Sequence, residues 1–309
     1  MFTKLEELVT EAQKGGPKRV AVVAAENELV LASIKRAQDR GLIVPLLVGD
    51  KDRIQMLASK IEYELDDSQI VHSAHPEDTA SLGVELVRNG QADIVMKGHL
   101  HTSDFLHAVL DKQNGLRTAR LLSHVFVMQI PMYHKLLGIT DAAINIHPTL
   151  LQKAAIIQNA VDMFLQLGVE RPKVAALSAV ETVNPDIPST IDAACLHKMS
   201  DRNQIKNAIV DGPLAFDNAI SAEAAREKDI ESEVSGEVDI VLAPDLDAGN
   251  ILYKNLQYLA NAQVAGVVMG ARAPIVITSR SDPPLARVFS LALANLICAN
   301  VNMFDQTCS

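Results

Sequence analysis

The sequence predicts an α/β protein with a mainly parallel, doubly wound sheet. Short apolar runs rich in β-branched residues alternate with segments of helical periodicity along all 309 residues, a pattern typical of βαβ units. Several of these runs stop at glycine, proline or polar residues, as parallel strands do at the ligand-binding edge of a sheet. No repeat, low-complexity segment or Gly/Ser/Pro-rich linker divides the chain. The alternation therefore indicates an α/β architecture throughout.

Each element follows from its local pattern. Strands are predicted for the short apolar runs 19–24, 42–49, 70–72, 94–96, 121–127, 141–146, 174–177, 209–210, 239–243, 266–268 and 275–278. The amphipathic segment 2–15 predicts an N-terminal helix instead of a signal peptide. Further helices are predicted where apolar residues recur at helical spacing, at 28–39, 51–61, 78–89, 103–111, 148–167, 189–198, 250–261 and 285–300.

Composition excludes several classes of function. The net charge of −10 makes nucleic acid a poor partner, and no apolar run reaches membrane-spanning length. The three cysteines, Cys195, Cys298 and Cys308, are too widely spaced for a disulfide framework or a zinc site. Thiols of this kind fit a reducing compartment, so we expect a cytoplasmic protein without a bound metal.

Two stretches near the C-terminus carry the most informative polar residues. In the first stretch, 242–254 (LAPDLDAGNILYK), an apolar run stops at a proline, two aspartates and a glycine. In the second, an apolar run ends at Ser279, Arg280, Ser281 and Asp282. Two such strands would place hydroxyls, a guanidinium and carboxylates at one edge of the sheet. Side chains of these types can bind an anion and transfer a proton. The GxGxxG dinucleotide fingerprint is missing, since Gly15 and Gly16 precede the first strand instead of following it.

The same stretches resemble a known family. The chain is similar, in order, to the phosphate acyltransferases (phosphotransacetylases and phosphotransbutyrylases) at MKGHLHTSDFLHAVL (96–110), GLRTARLLSHVFV (115–127), TDAAINIHPTLLQKAAI (140–156), DGPLAFDNAIS (211–221), PDLDAGNILYK (244–254) and APIVITSRSD (273–282). Each segment alone is a modest signal, whereas the ordered set is strong. Residues 96–102 and 115–125 look closer to the butyryl branch than to the acetyl branch.

The resemblance implies two doubly wound α/β domains with a cleft between them, as in isocitrate and isopropylmalate dehydrogenases. Domain I would be discontinuous, comprising 1–130 and 271–309, and domain II would comprise 131–270. The family forms dimers or larger assemblies, so we expect a homo-oligomer.

The implied activity is transfer of a short-chain acyl group, butyryl or similar, between coenzyme A and phosphate. Acyl-CoA, phosphate and acyl phosphate would be the ligands, and coenzyme A would be a substrate, with no cofactor required. The alternatives are a phosphate acetyltransferase, an acyltransferase dependent on acyl carrier protein, a metal- and NAD-dependent dehydrogenase of the same fold, and a catalytically silent subunit.

Three residues are predicted to be catalytic. In the family, a Ser-Arg pair matching Ser279 and Arg280 is linked to stabilisation of the transition state and of the substrate anion. The acetyl branch has an aspartate where this chain has Ala286. Asp282 is therefore the first candidate for the base, although it also stands in a good helix-capping position before Pro283. Asp245 and His101 are the reserve candidates.

Other residues are predicted to bind substrate. Either Arg287 or Arg272 could pair with phosphate, and each could instead be a surface cation. The remaining candidates are Lys97, His101 and Thr102 at a strand-to-helix junction, Arg117, Arg120 and Ser123 before an apolar strand, and Asp245 and Asn250 in the PDLDAGN segment. Thr102 and Ser103 would cap the following helix. Asp245 and Asp247 could alternatively bind magnesium or form a structural turn.

Overall fold

The computed structural model describes residues 2–279 and 282–298. Eleven strands lie in this part of the chain, at β1 Lys18–Val23, β2 Ile43–Gly49, β3 Ile70–His72, β4 Ile94–Lys97, β5 Ser123–Gln129, β6 Leu136–Thr140, β7 Lys173–Leu177, β8 Ile209–Leu214, β9 Ile240–Leu242, β10 Gln263–Met269 and β11 Ile275–Val276. The α/β class predicted from the sequence is confirmed.

Eleven α-helices of the described residues connect the strands. They are α1 Leu5–Lys14, α2 Glu28–Asp39, α3 Lys51–Lys60, α4 Thr79–Arg88, α5 Thr102–Val109, α6 Leu150–Gln166, α7 Pro188–Asp201, α8 Phe216–Ile220, α9 Ala222–Glu227, α10 Leu246–Tyr258 and α11 Pro284–Cys298. Short 3-10 turns at Asp67–Gln69 and Pro76–Asp78 precede β3 and α4. None of these helices combines the length and apolar character needed to cross a lipid bilayer.

The chain divides into two compact units. The terminal unit contains the described residues of 6–120 and 265–298, and the central unit contains 2–5 and 121–264. These limits fall near the predicted boundaries at 130 and 270 without coinciding with them. The predicted domain division stays a prediction.

In the terminal unit the strand order is β3-β2-β1-β4-β11-β10. The pairs β3-β2, β2-β1, β1-β4 and β4-β11 are parallel, whereas β10 and β11 are antiparallel. The helix α11 packs against α2, β4 and β11. All of its side chains from Ala286 to Asn295 are buried, because this helix is apolar on nearly every side.

In the central unit the strand order is β5-β6-β9-β7-β8. Only β5 and β6 pair in antiparallel fashion there, and the other neighbours are parallel. The helix α6 begins with a capping box, in which Thr149 and Gln152 satisfy each other's backbone N–H groups. This box places the start of the helix just after Pro148, close to the predicted position.

The prediction of a strand at 141–146 is wrong, because these residues form a loop. The strand β6 ends at Thr140, and Asp141 then turns the chain. The Asp141 carboxylate accepts hydrogen bonds from the backbone N–H groups of Ala143 (2.9 Å) and Ile144 (3.1 Å) and from the side-chain amide of Asn145 (2.6 Å). These local bonds satisfy the backbone groups that a strand ladder would use.

Candidate active site

The strand order of the terminal unit contains a topological switch point. From β1 the chain continues to β2 and β3 on one side, and β4 lies on the other side. The loops that follow β1 and β4 therefore leave the sheet in different directions, which opens a crevice where ligands of α/β sheets commonly bind. A cavity of about 130 Å³, called here the switch-point cavity, is lined by Asn27, Leu29, Val30, Gly98, His99, Thr278, Ser279 and Arg287.

Gly98 brings the ends of β1 and β4 into close contact. Its N–H donates to the carbonyl oxygen of Val23 at 2.7 Å, and the N–H of His99 donates to that of Ala24 at 2.8 Å. A Cβ atom on Gly98 would lie only 2.4 Å from the Ala24 carbonyl oxygen. The glycine therefore allows the loop after β4 to fold over the end of β1.

Arg287 supplies the positive charge of the cavity. It lies on α11 and is only 4% exposed. One guanidinium nitrogen, Nη2, donates to the carbonyl oxygen of Ser279 at 3.2 Å. Its Nε and Nη1 atoms are buried and have no hydrogen-bond partner in the described part of the chain. Burial lowers the pKa of Arg287, and the charge of Asp282 opposes that shift.

Ser279 and Asp282 form a tight turn ahead of α11. The backbone N–H of Ser279 donates to Oδ2 of Asp282 at 2.6 Å, and the N–H of Asp282 donates to the Ser279 carbonyl oxygen at 3.2 Å. The turn fixes Ser279 in the lining of the switch-point cavity, after the strand that the sequence predicts before it. Arg280, the predicted partner of Ser279, lies outside the described residues.

Lys97, His101 and Thr102 surround the junction between β4 and α5. Lys97 ends the strand and is buried, and its Nζ donates to the Leu100 carbonyl oxygen at 3.0 Å. Thr102 is the first helical residue, and His101 stands at the capping position without a side-chain cap. The predicted hydroxyl cap of this helix is therefore wrong, because the helix begins one residue earlier than expected.

Arg117 and Arg120 lie on the segment between α5 and β5. Arg117 is exposed and forms an isolated antiparallel bridge with Ala271. Its carbonyl oxygen accepts a hydrogen bond from Nε of Arg272 at 3.2 Å. Neither Arg117 nor Arg120 is among the residues that line the switch-point cavity.

The central unit holds the other predicted ligands. Ser123 is fully buried at the start of β5, and its hydroxyl accepts a hydrogen bond from the Asn159 amide at 2.8 Å. Asp245 caps α10 by accepting from the Ala248 N–H at 2.9 Å. Asn250 donates to the Ala142 carbonyl oxygen at 3.1 Å. Each of these side chains already has a structural partner, and their roles toward substrate stay predictions.

Sequence reasoning missed Asn27 as a cavity residue. Asn27 follows β1 and caps α2, with its side-chain oxygen accepting from the Val30 N–H at 3.1 Å. A capping residue in the short loop between a strand and a helix is a sequence signal for the phosphate-binding end of a βαβ unit. Among the described residues, no three histidine, cysteine or acidic side chains converge in a way that would hold a metal ion.

The parallel α/β fold and the buried arginine at the switch point are typical of enzymes that bind anionic substrates. Comparison with known proteins specifies the class. A family model described as "Phosphate acetyl/butaryl transferase" matches residues 74–294. The chain belongs to this family and is a phosphate acyltransferase, which confirms the resemblance predicted from its sequence.

Individual relatives cover nearly the whole chain. It is 43% identical to a phosphate butyryltransferase of Clostridium acetobutylicum, over 97% of this chain and all of that protein. It is 46% identical to a phosphate acetyltransferase of Rhizobium meliloti, over 96% of this chain and 94% of that protein. A branched-chain phosphotransacylase from Enterococcus faecalis V583 superposes with a TM-score of 0.79 at 32% identity, covering 91% of this chain and 99% of that one.

Proposed function

We propose that the protein catalyses acyl-CoA + phosphate ⇌ acyl phosphate + CoA, with butyryl or a similar short-chain acyl group. Family membership supports the reaction class. The observation that carries the proposal is the switch-point cavity, in which the buried Arg287 lies beside Ser279. A cation and a hydroxyl at one site suit both a phosphoryl group and an acyl carbonyl oxygen.

The proposed mechanism is direct attack within a ternary complex. In the direction that forms acyl-CoA, a base takes the proton of the CoA thiol, and the thiolate attacks the carbonyl carbon of the acyl phosphate. The tetrahedral intermediate then breaks its carbon–oxygen bond to phosphate, which leaves with that electron pair. The Ser279 hydroxyl is proposed to donate to the developing oxyanion, together with Arg280. No covalent acyl-enzyme is formed in this scheme.

Asp282 is the proposed base. Its Oδ2 accepts the Ser279 N–H, and an ionised carboxylate has further acceptor positions for the thiol proton. The same carboxylate would thus position Ser279 and receive the proton. Of the two reserve candidates, Asp245 is already engaged in capping α10, whereas His101 is exposed beside the loop that follows β4.

The acyl group is the finer part of the proposal. Identity to the butyryl relative (43%) and to the acetyl relative (46%) is similar, so overall likeness does not separate the two specificities. The butyryl preference rests on residues 96–102 and 115–125. We also propose that the enzyme needs no metal or redox cofactor, forms a homo-oligomer of two or more chains, and acts in the cytoplasm.

Trapping of the acyl phosphate tests the reaction. The purified enzyme is incubated with butyryl-CoA and phosphate, with butyryl-CoA alone, and with both after treatment with EDTA. Hydroxylamine converts an acyl phosphate into a hydroxamate that is measured by its iron complex. Hydroxamate that depends on phosphate and survives EDTA supports the proposal, whereas equal hydroxamate with and without phosphate contradicts it.

A further inference from the structure

Arg287 is a buried charge with an incomplete set of partners. Only Nη2 has a hydrogen bond, to the Ser279 carbonyl oxygen, while Nε and Nη1 have none among the described residues. Buried donors in folded proteins are nearly always paired, and an unpaired buried charge is more costly than an unpaired neutral group. Arg287 therefore has the properties of a group that is completed by a ligand.

The lining of the cavity favours an anion as the partner of these two donors. Among the residues that the structure describes, none that lines the switch-point cavity with Arg287 is acidic. The carboxylate of Asp282 interacts electrostatically with Arg287, and it accepts a hydrogen bond from the Ser279 N–H at 2.6 Å. The described lining of the cavity thus supplies a guanidinium and no carboxylate.

The N-terminus of α2 reinforces this charge. Asn27, Leu29 and Val30, which cap and begin this 12-residue helix, line the same cavity. The first turn of a helix presents unpaired N–H groups and the positive end of the helix dipole. Together with the buried guanidinium and the switch point, it makes a third independent feature that favours an anion.

We propose that the switch-point cavity binds the inorganic phosphate substrate as a tetrahedral oxyanion and that Arg287 is its charged anchor. The inference rests on the proposed reaction, in which phosphate is a substrate. The switch-point cavity has a volume of about 130 Å³. This is well below the roughly 300–1,000 Å³ of pockets that enclose drug-sized ligands. It suits a small ion and not the whole of coenzyme A, although a phosphate group of coenzyme A shares the same chemistry.

The variant Arg287→Met tests the proposal, with Arg36→Met as matched control. Arg36 is an exposed arginine at the opposite end of α2, so its loss removes the same charge without touching the cavity. In phosphate-free buffer we expect Arg287→Met to be about as thermally stable as the native protein, since the loss of the hydrogen bond from Nη2 is offset by the removal of two buried donors, Nε and Nη1, that have no partner among the described residues. Added phosphate should raise the Tm of the native protein and of Arg36→Met but not that of Arg287→Met.

Steady-state kinetics show whether the cavity binds inorganic phosphate or a phosphate group of coenzyme A. Loss of charge-assisted hydrogen bonds should raise the KM for phosphate by at least about tenfold in Arg287→Met, while the KM for butyryl-CoA changes less than about twofold. A rise confined to the KM for butyryl-CoA overturns the proposal in favour of a phosphate of coenzyme A. A Tm that phosphate raises equally in the native protein and in Arg287→Met also overturns it and makes Arg287 a structural cation.

Failure of this proposal is distinguishable from failure of the reaction. If the native protein shows no turnover but Arg287→Met still abolishes the phosphate-induced rise in Tm, the reaction is wrong and the anion site stands. If turnover is present and the KM for phosphate is unchanged in Arg287→Met, the reaction stands and the site is wrong. Should Arg287→Met not fold, Arg287→Lys carries the same measurements, with a smaller rise in the KM expected because the charge is kept.

Discussion

The carboxylate of Asp282 holds the backbone of Ser279 through a hydrogen bond of 2.6 Å. The two residues thereby form one turn, and Ser279 in this turn lines the switch-point cavity. The carbonyl oxygen of Ser279 also accepts a hydrogen bond from Arg287. Both backbone polar groups of the proposed oxyanion donor are therefore hydrogen-bonded. This arrangement leads to separate predictions for the carboxylate and for the hydroxyl.

Asp282→Asn should retain the fold and lose activity. The amide oxygen of asparagine can still accept the Ser279 N–H, but it cannot take the thiol proton at neutral pH. We expect kcat for acyl-CoA formation to fall by about 10²–10⁴-fold with little change in Tm. Asp111→Asn is the matched control, because Asp111 accepts two backbone N–H groups in an exposed turn of the same unit. A kcat for Asp282→Asn within twofold of the control would exclude Asp282 as the base.

Ser279→Ala should affect the chemical step more than substrate binding. Removal of one donor to an oxyanion typically lowers kcat by about 10²–10³-fold, and the backbone contacts of Ser279 do not depend on its hydroxyl. The measurement is kcat and both KM values by steady-state kinetics. Ser59→Ala, which removes an exposed hydroxyl from α3, is the control. An unchanged kcat with raised KM values would assign the hydroxyl to ground-state binding instead.

Gly98→Ala should disturb the switch-point cavity by steric conflict. A new Cβ atom would lie 2.4 Å and 2.5 Å from the carbonyl oxygens of Ala24 and Val23, and neither backbone group can move without displacing its strand. We expect a loss of about 1–3 kcal/mol in the free energy of unfolding, together with weaker phosphate binding. In the control Gly15→Ala, the nearest atom to the added Cβ is 3.6 Å away, so its stability should stay within about 0.5 kcal/mol of native.

The ion pair between Asp93 and Arg19 should make the free energy of unfolding depend on pH. Burial opposes ionisation of Asp93, but hydrogen bonds from the Arg19 side chain and backbone outweigh it and lower its pKa. A lowered pKa stabilises the folded protein above the ordinary aspartate value near 4, and this contribution is lost as the pH falls through the lower folded value. Because the pair is partly exposed and screened by solvent, Asp93→Asn should cost about 0.5–1 kcal/mol at pH 7 and much less near pH 2.

Urea unfolding of the native protein and Asp93→Asn at both pH values checks this expectation. Asp52→Asn, an exposed residue at the start of α3, controls for the loss of one negative charge. A difference between the native protein and Asp93→Asn that is the same at pH 7 and pH 2 would contradict the assigned cause.

Local patterns predicted most strands and helices, because the apolar periodicity of an element is written in adjacent residues. The prediction failed at 141–146, where the Asp141 side chain captures the backbone, and the short helices α8 and α9 gave too few residues for a period to appear. The antiparallel pairing of β10 with β11 was also hidden, since strand direction depends on the path of the whole chain.

The candidate site was predictable only where its residues are close in sequence. Ser279 and Asp282 lie three residues apart after one strand, and the structure joins them by a hydrogen bond. Asn27, Gly98 and Arg287 lie on segments that are far apart in the sequence and meet only through the strand order of the sheet. The burial and incomplete pairing of Arg287 could not be read from its neighbours, because they are set by elements that pack against α11.

The most direct test of the central claim is thiol release from a panel of acyl-CoAs with and without phosphate. Acetyl-, propionyl-, butyryl-, isobutyryl- and valeryl-CoA are compared at equal concentration. We predict release that requires phosphate and is fastest with a four-carbon acyl group or its branched relatives. Release that is fastest with acetyl-CoA would keep the reaction and overturn the butyryl preference, and the absence of phosphate-dependent release from every acyl-CoA would contradict the proposed function.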